Sequence, residues 1–368
     1  MLVYLKQKGV QMLRRVNVLL SSLLCASLIL SACSNSSSLA TSDSVIEKGA
    51  DYLITSYSTD GSIGSYSDTA WAIMGLVAAG KYNEGFSSPS PIDHLRDNES
   101  QMIDSFNLPA DLARNTLAII AAGESPFNFG KENELIPEGN YVQALKNLHD
   151  GQQFGPAESI NEDFWAVIAL IAAGVSPDDE IIKTTVSYII DCQGNDYGWS
   201  WASPDNEWYY ESDPDNTAAA IIALVNAGMS SSDEPVQNAL DYLKSTQGPN
   251  GGFMSYGVEN TGSTTWVVSA LNILGEDLSS WDNNGATPSN FLINIQNPDG
   301  SFSFASPMPE GYLAMSEYNT AAAIIALTGN SYPVVQPQGT KWWLWAGLII
   351  IIVSMVIFLC LNTKRRWK

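Results

Sequence analysis

Between residues 44 and 330 the chain alternates small and apolar blocks of about a dozen residues with polar, glycine-containing stretches. The blocks repeat: Asn216 to Leu224 is identical, residue for residue, to Asn319 to Leu327, and looser copies run from Asp68 to Leu76 and from Glu162 to Leu170. Gly80, Gly123, Gly174, Gly228 and Gly275 each lie twelve residues after Asp68, Asp111, Glu162, Asn216 and Ser263, and a sixth copy begins at Asn319. Polar residues at the start and glycine at the end are what the termini of a short helix ask for. Alanine and other small residues on most faces predict helices enclosed on all sides. An amphipathic helix is predicted before each of them: Val45 to Ser56, a region near Ile92 to Phe106, Tyr141 to His149, Ile181 to Ile190, Val236 to Thr246 and Pro288 to Ile295. Glycine turns beside an apolar residue join the pairs, as in Asp60 to Gly64, Asp196 to Trp199, Asn250 to Phe253 and Asp299 to Phe302. Six helix pairs that bury their faces only against one another predict an all-α domain, closed into a single α6/α6 toroid.

The two ends have a different pattern. Lys6, Lys8, Arg14 and Arg15 precede an apolar run from Val16 to Leu30, as in an export signal, and the run ends in Leu30-Ser31-Ala32-Cys33. That ending resembles a bacterial lipobox, which implies lipidation of Cys33, a signal over residues 1–33 and a serine-rich tether over 34–43. Past a linker at 331–341, residues 342–361 form an apolar stretch of 20 residues, long enough to cross a bilayer. The basic tail 362–368, with Lys364, Arg365, Arg366 and Lys368, is expected in the cytoplasm. The expected location is therefore a bacterial cell membrane, with residues 34–340 outside the cytoplasm.

Charge supports a partner class only by exclusion. The ends hold nine of the 17 basic residues and none of the 39 acidic ones, so residues 34–340 retain 8 basic residues against all 39 acids, a net charge of −31. Such a domain repels nucleic acid, which leaves the membrane anchors and a small-molecule or protein ligand as expected partners. Of four cysteines only Cys192 lies between the ends and outside the lipobox, so no disulfide is expected within the domain.

Tyr242 to Gln247, Gly251-Gly252-Phe253 and the Asp/Asn-Thr-Ala helix starts resemble the superfamily of squalene and hopene cyclases and protein prenyltransferase β-subunits. The resemblance implies the same toroid. Asp213-Pro214-Asp215-Asn216-Thr217-Ala218 is similar to the Asp-Xaa-Asp-Asp-Thr-Ala motif of hopene cyclases, and that similarity implies that Asp215 protonates an alkene, with Asp213 beside it. Asn216 stands where that family has a further aspartate. Asp215 is also the only acid at its place in the repeat: the sister positions are Ser67, Ala110, Asn161, Gly262 and Tyr318. The prenyltransferase resemblance implies a zinc site of Asp, Cys and His, but His94 and His149 are the only histidines and neither joins Asp191-Cys192 in a spaced set. No metal and no cofactor is expected.

Three readings of function follow. In the first, the ring mouth binds a small hydrophobic or cofactor-like ligand, or a partner, through Trp71, Trp165, Trp266 and the aromatic run Trp208, Tyr209, Tyr210, Glu211. In the second, a terpene cyclase-like enzyme uses Asp215 as general acid. In the third, a carboxylate pair in the 207–215 loop acts on a glycosidic bond, with tryptophans stacking on the sugar.

Overall fold

The computed structural model describes residues 42–335, apart from 105–106, 207–210, 256 and 312–313. The export signal, Cys33 and the apolar span 342–361 lie outside the described residues. Among the described residues, no helix is long and apolar enough to cross a membrane.

Six helix pairs follow one another: α1 (residues 42–55) with α2 (Tyr66–Ala78), α3 (Pro91–Asp97) and the short α4 (Ser100–Ile103) with α5 (Leu108–Ala121), α6 (Tyr141–Asn147) with α7 (Asn161–Ala172), α8 (Glu180–Asp191) with α9 (Pro214–Asn226), α10 (Glu234–Thr246) with α11 (Thr261–Leu274), and α12 (Pro288–Ile295) with α13 (Ser316–Leu327). A small antiparallel hairpin, β1 (Phe253–Ser255) and β2 (Val258–Asn260), leads into α11. The second members of the pairs form an inner ring in which each helix packs on the next and α13 packs on α2. The α/α toroid expected from the repeats is therefore the fold. Ala70, Ala72, Ala118, Ala166, Ala220 and Ala323 are wholly buried, and this burial on every side is why the inner helices are alanine-rich.

The inner helices start one to three residues earlier than the repeat pattern predicts. Ser65, Asp213 and Asn260 are the N-caps of α2, α9 and α11, and their side chains accept from the amides of Asp68, Asn216 and Ser263. A cap bonds the third residue of its helix, so a polar residue recurs at that third position with the same period as the cap. The glycines expected at the other end are there: Gly80, Gly123, Gly174, Gly228 and Gly275 all have positive φ, between 69° and 106°.

Two side-chain bonds recur around the ring. The amides of Ile63, Phe154, Trp199, Phe253 and Phe302, the buried residues of the turns, donate to Thr69, Asp163, Thr217, Thr264 and Thr320 one turn into the inner helices. Gln193, Gln247 and Gln296 donate to a carbonyl in their own turn and to one at the next repeat, Pro235, Trp281 and Val45 respectively. The last of these joins the sixth pair to α1 and closes the outer layer.

Residues 331–335, expected to begin the linker, instead turn back on the ring. Tyr332 and Val334 are buried, and the Tyr332 carbonyl accepts from Asn226 Nδ2 at the end of α9. Tyrosine and valine supply the apolar burial that a linker composition concealed.

Candidate functional site

All inner helices run the same way, so their N-termini meet at one mouth of the ring. There a cavity of about 340 Å³ is lined by Ser67, Asp68, Trp71, Arg114, Asn161, Trp165, Asp215, Asn216, Ala219, Trp266, Met315 and Tyr318. The lining is layered by repeat. Ser67, Asn161, Asp215 and Tyr318 hold the same position on four inner helices and form the rim. Four residues further on, about 6 Å down each helix, stand Trp71, Arg114, Trp165, Ala219 and Trp266.

The three tryptophans meet in the centre edge to face. Ring centroids are 5.4 Å apart for Trp71 and Trp165, 6.2 Å for Trp71 and Trp266 and 5.1 Å for Trp165 and Trp266. Ala219 and the buried Ala322 occupy the matching place on α9 and α13, which leaves room for three large rings in one layer. Tyr318 packs on Trp71 at 4.9 Å and accepts from Trp266 Nε1 at 3.0 Å, fixing that ring's orientation.

Asp215, in the first turn of α9, reaches this mouth. The residue keeps partial contact with solvent, but its Oδ1 is shut off from water and has no hydrogen-bond partner. Burial pushes its carboxyl above the ordinary aspartate range, opposed by the Ser263 hydroxyl. Asp213 is pushed up as well, first by burial and then by the charge of Asp215, while its bonds from Asn216 pull it back down. Asp213 Oδ1 accepts from the Asn216 amide and Oδ2 from Asn216 Nδ2, both at 2.8 Å. Two neighbouring buried carboxyls do not ionise together cheaply. The two donors at the helix N-terminus favour the charged form of Asp213, and burial favours the neutral form of Asp215. Asp213 is thus the cap of α9, and Asn216, where the hopene cyclase motif has an aspartate, is the residue that holds it.

Trp71, Trp165 and Trp266 therefore come together with Asp215. Trp208, Tyr209 and Tyr210 lie outside the described residues, as does Glu207. Glu211 is exposed and does not line the cavity. Within the 207–215 run, Asp215 is the one described acid that lines the mouth; the other acid of the lining is Asp68, on α2. Arg114 joins the site without having been foreseen: it is ion-paired with Asp111 and its Nε is buried without a partner. The available signal was its place three residues after Asp111, where Trp71 follows Asp68.

A mostly helical ring whose mouth sets a buried acid over an aromatic floor is the class of protein that fold and site define. The chain belongs to the prenyltransferase α/α-toroid domain family, whose model matches residues 140–345, more than half of its length. No curated protein is similar enough in sequence to match. Among solved structures, a type II terpene cyclase from Scytonema is 15% identical with a TM-score of 0.54, the alignment covering 79% of this chain and 98% of the cyclase. A glycosidase in complex with glucose is similar at 10% identity and a TM-score of 0.56, covering 80% of this chain and 98% of its own. A polysaccharide lyase is similar at 10% identity and a TM-score of 0.54, covering 79% and 97%. At these identities the likenesses show the fold alone.

Proposed function

We propose that the toroid binds a small isoprenoid-like hydrophobic ligand in its mouth and that Asp215 acts on it as a general acid, in the manner of a type II terpene cyclase. The observation that carries this reading is the Asp215 carboxyl itself: without a partner on its buried Oδ1, set beside Trp71, Trp165 and Trp266 in the lining of the mouth, and pushed by burial toward its neutral form. In the reaction the Asp215 O–H bond breaks and a C–H bond forms at the less substituted alkene carbon. The tertiary cation left behind is attacked by the next alkene of the same chain, which closes a ring. A proton lost to water ends the sequence, and the Asp215 carboxylate regains its proton from solvent. The indole faces stabilise the cation, each by about 0.5–2 kcal/mol, and the dry floor keeps water from quenching it early. The single-toroid terpene cyclase from Scytonema, covered at 98% of its length, supports the view that one such ring suffices.

The compartment belongs to the same proposal. The Cys33 lipobox and the span 342–361 would hold the domain beside a lipid layer, where hydrophobic ligands concentrate. Labelling intact cells with a membrane-impermeant amine reagent should reach the domain and spare Lys364 and Lys368. Cys33→Ser should abolish lipid incorporation. Labelling of the tail contradicts the arrangement.

The activity is tested by incubating the purified protein with farnesol or geranylgeraniol in deuterated water. Deuterium at one carbon of a cyclic product is the expected result, lost in Asp215→Asn while farnesol still binds. Binding without turnover in the wild type supports the narrower reading of a ligand-binding toroid. Turnover that survives Asp215→Asn refutes the general-acid role.

A further inference from the structure

Tyr332 lies beyond the tryptophan floor of the mouth cavity. After α13 the chain turns under the ring at the C-terminal end of the inner helices, held by Asn272 Nδ2 donating to the Asn330 carbonyl and Asn226 Nδ2 donating to the Tyr332 carbonyl, at 2.9 and 3.0 Å. The Tyr332 ring, 2% exposed, then lies against all three tryptophans of the floor, with centroids 5.7 Å from Trp71, 6.1 Å from Trp165 and 5.0 Å from Trp266. It does not line the mouth cavity, so it supports the floor from the other side. One further turn along the inner helices, Gly75, Ala118, Ala169, Ala223, Ala270 and Ala326 stand at the next equivalent positions, all glycine or alanine. Side chains of that layer are too small to hold the indoles up.

We propose that Tyr332 sets the depth of the site and with it the length of the ligand. This rests on the reading of the mouth as an isoprenoid site. With the prop in place the site is one helical turn deep and about 340 Å³ in volume, at the low end of the ~300–1,000 Å³ usual for small-molecule pockets. Such a space takes a short isoprenoid and excludes a thirty-carbon chain. Without the phenol ring, the indoles lose their contacts from below and the floor sinks into the space it vacates.

The test is ligand-length selectivity, measured on the full chain by quenching of tryptophan fluorescence with farnesol and squalene as probes. The wild type should bind farnesol at least about tenfold more tightly than squalene, and Tyr332→Phe, which keeps the ring, should retain that ratio. Tyr332→Leu and Tyr332→Ala should lower it stepwise, with helicity by circular dichroism unchanged. A merely structural role moves both affinities together and leaves the ratio alone. A folded Tyr332→Leu or Tyr332→Ala with the wild-type ratio overturns the proposal, as does a wild type that binds both probes equally. Failure of every isoprenoid probe to bind removes the reading on which the proposal rests, and that outcome is distinct from binding with an unaltered ratio.

Discussion

Asp163 stands where four other repeats carry threonine, and the exchange leaves a buried carboxyl. Its Oδ1 accepts from the Phe154 amide at 2.8 Å, as the threonine hydroxyls do from theirs, while Oδ2 is buried without a partner. Burial pushes the group up to about 8. A proton held more tightly in the folded than in the unfolded chain stabilises the fold only while it is bound, so the contribution is complete below the ordinary aspartate value near ~4 and is lost as pH rises through about 8. Stability should therefore fall between mildly acidic and weakly alkaline pH. Asp163→Thr should flatten that slope and stabilise the protein at pH 8 by about 1–3 kcal/mol, the cost of an unsatisfied buried group, as read by chemical denaturation at several pH values. Two neighbouring aspartates should behave oppositely to each other. Asp213→Ala removes the cap of α9 and should cost about 1 kcal/mol, whereas Asp215→Asn breaks no hydrogen bond on Oδ1 and should leave the melting temperature nearly unchanged. Asp215 could be singled out from the sequence because its five sister positions lack an acid. Asp163 could not, because an acid at a helix start reads as ordinary N-terminal charge until the orphaned oxygen is seen.

At the scale of elements, the ring is held by bonds that a hydrophobic pattern does not show. The turns were legible from their glycines, but not the glutamines that precede them, because a glutamine at a helix end carries no signal until its two carbonyl partners are known. Gln296 is the one of the three whose distant partner, Val45, lies at the other end of the domain, 2.8 Å away. Gln296→Ala should lower stability by about 1–3 kcal/mol and speed hydrogen exchange in α1 and α12 specifically. The same seam depends on Gly75, where an added methyl would meet the Ala321 Cα of α13 at 2.8 Å. Since that neighbour is backbone, Gly75→Ala should cost about 1–3 kcal/mol by overpacking, measured by thermal melting, while an alanine at the exposed Gly311 should not disturb the ring in this way.

For the whole molecule, a closed ring leaves no inner face uncovered, and opening it should act on every repeat at once. Truncation after Met315 removes α13, exposes α2 and α11 together, and should abolish cooperative unfolding where loss of a surface loop would not. The number of helix pairs could be read from the five spaced glycines together with the sixth copy at Asn319, since a repeat that buries its faces against neighbours imposes its period on the sequence. The floor of the site could not, because Tyr332 sits in a proline-containing stretch whose burial depends on the ring it enters. The account as a whole turns on whether Asp215 carries a proton when its surroundings are at neutral pH. Infrared difference spectra between the wild type and Asp215→Asn report this directly. A protonated carboxylic C=O band at neutral pH, absent from Asp215→Asn, is the expected result; a difference spectrum showing only an ionised carboxylate, titrating in the ordinary aspartate range, contradicts the account.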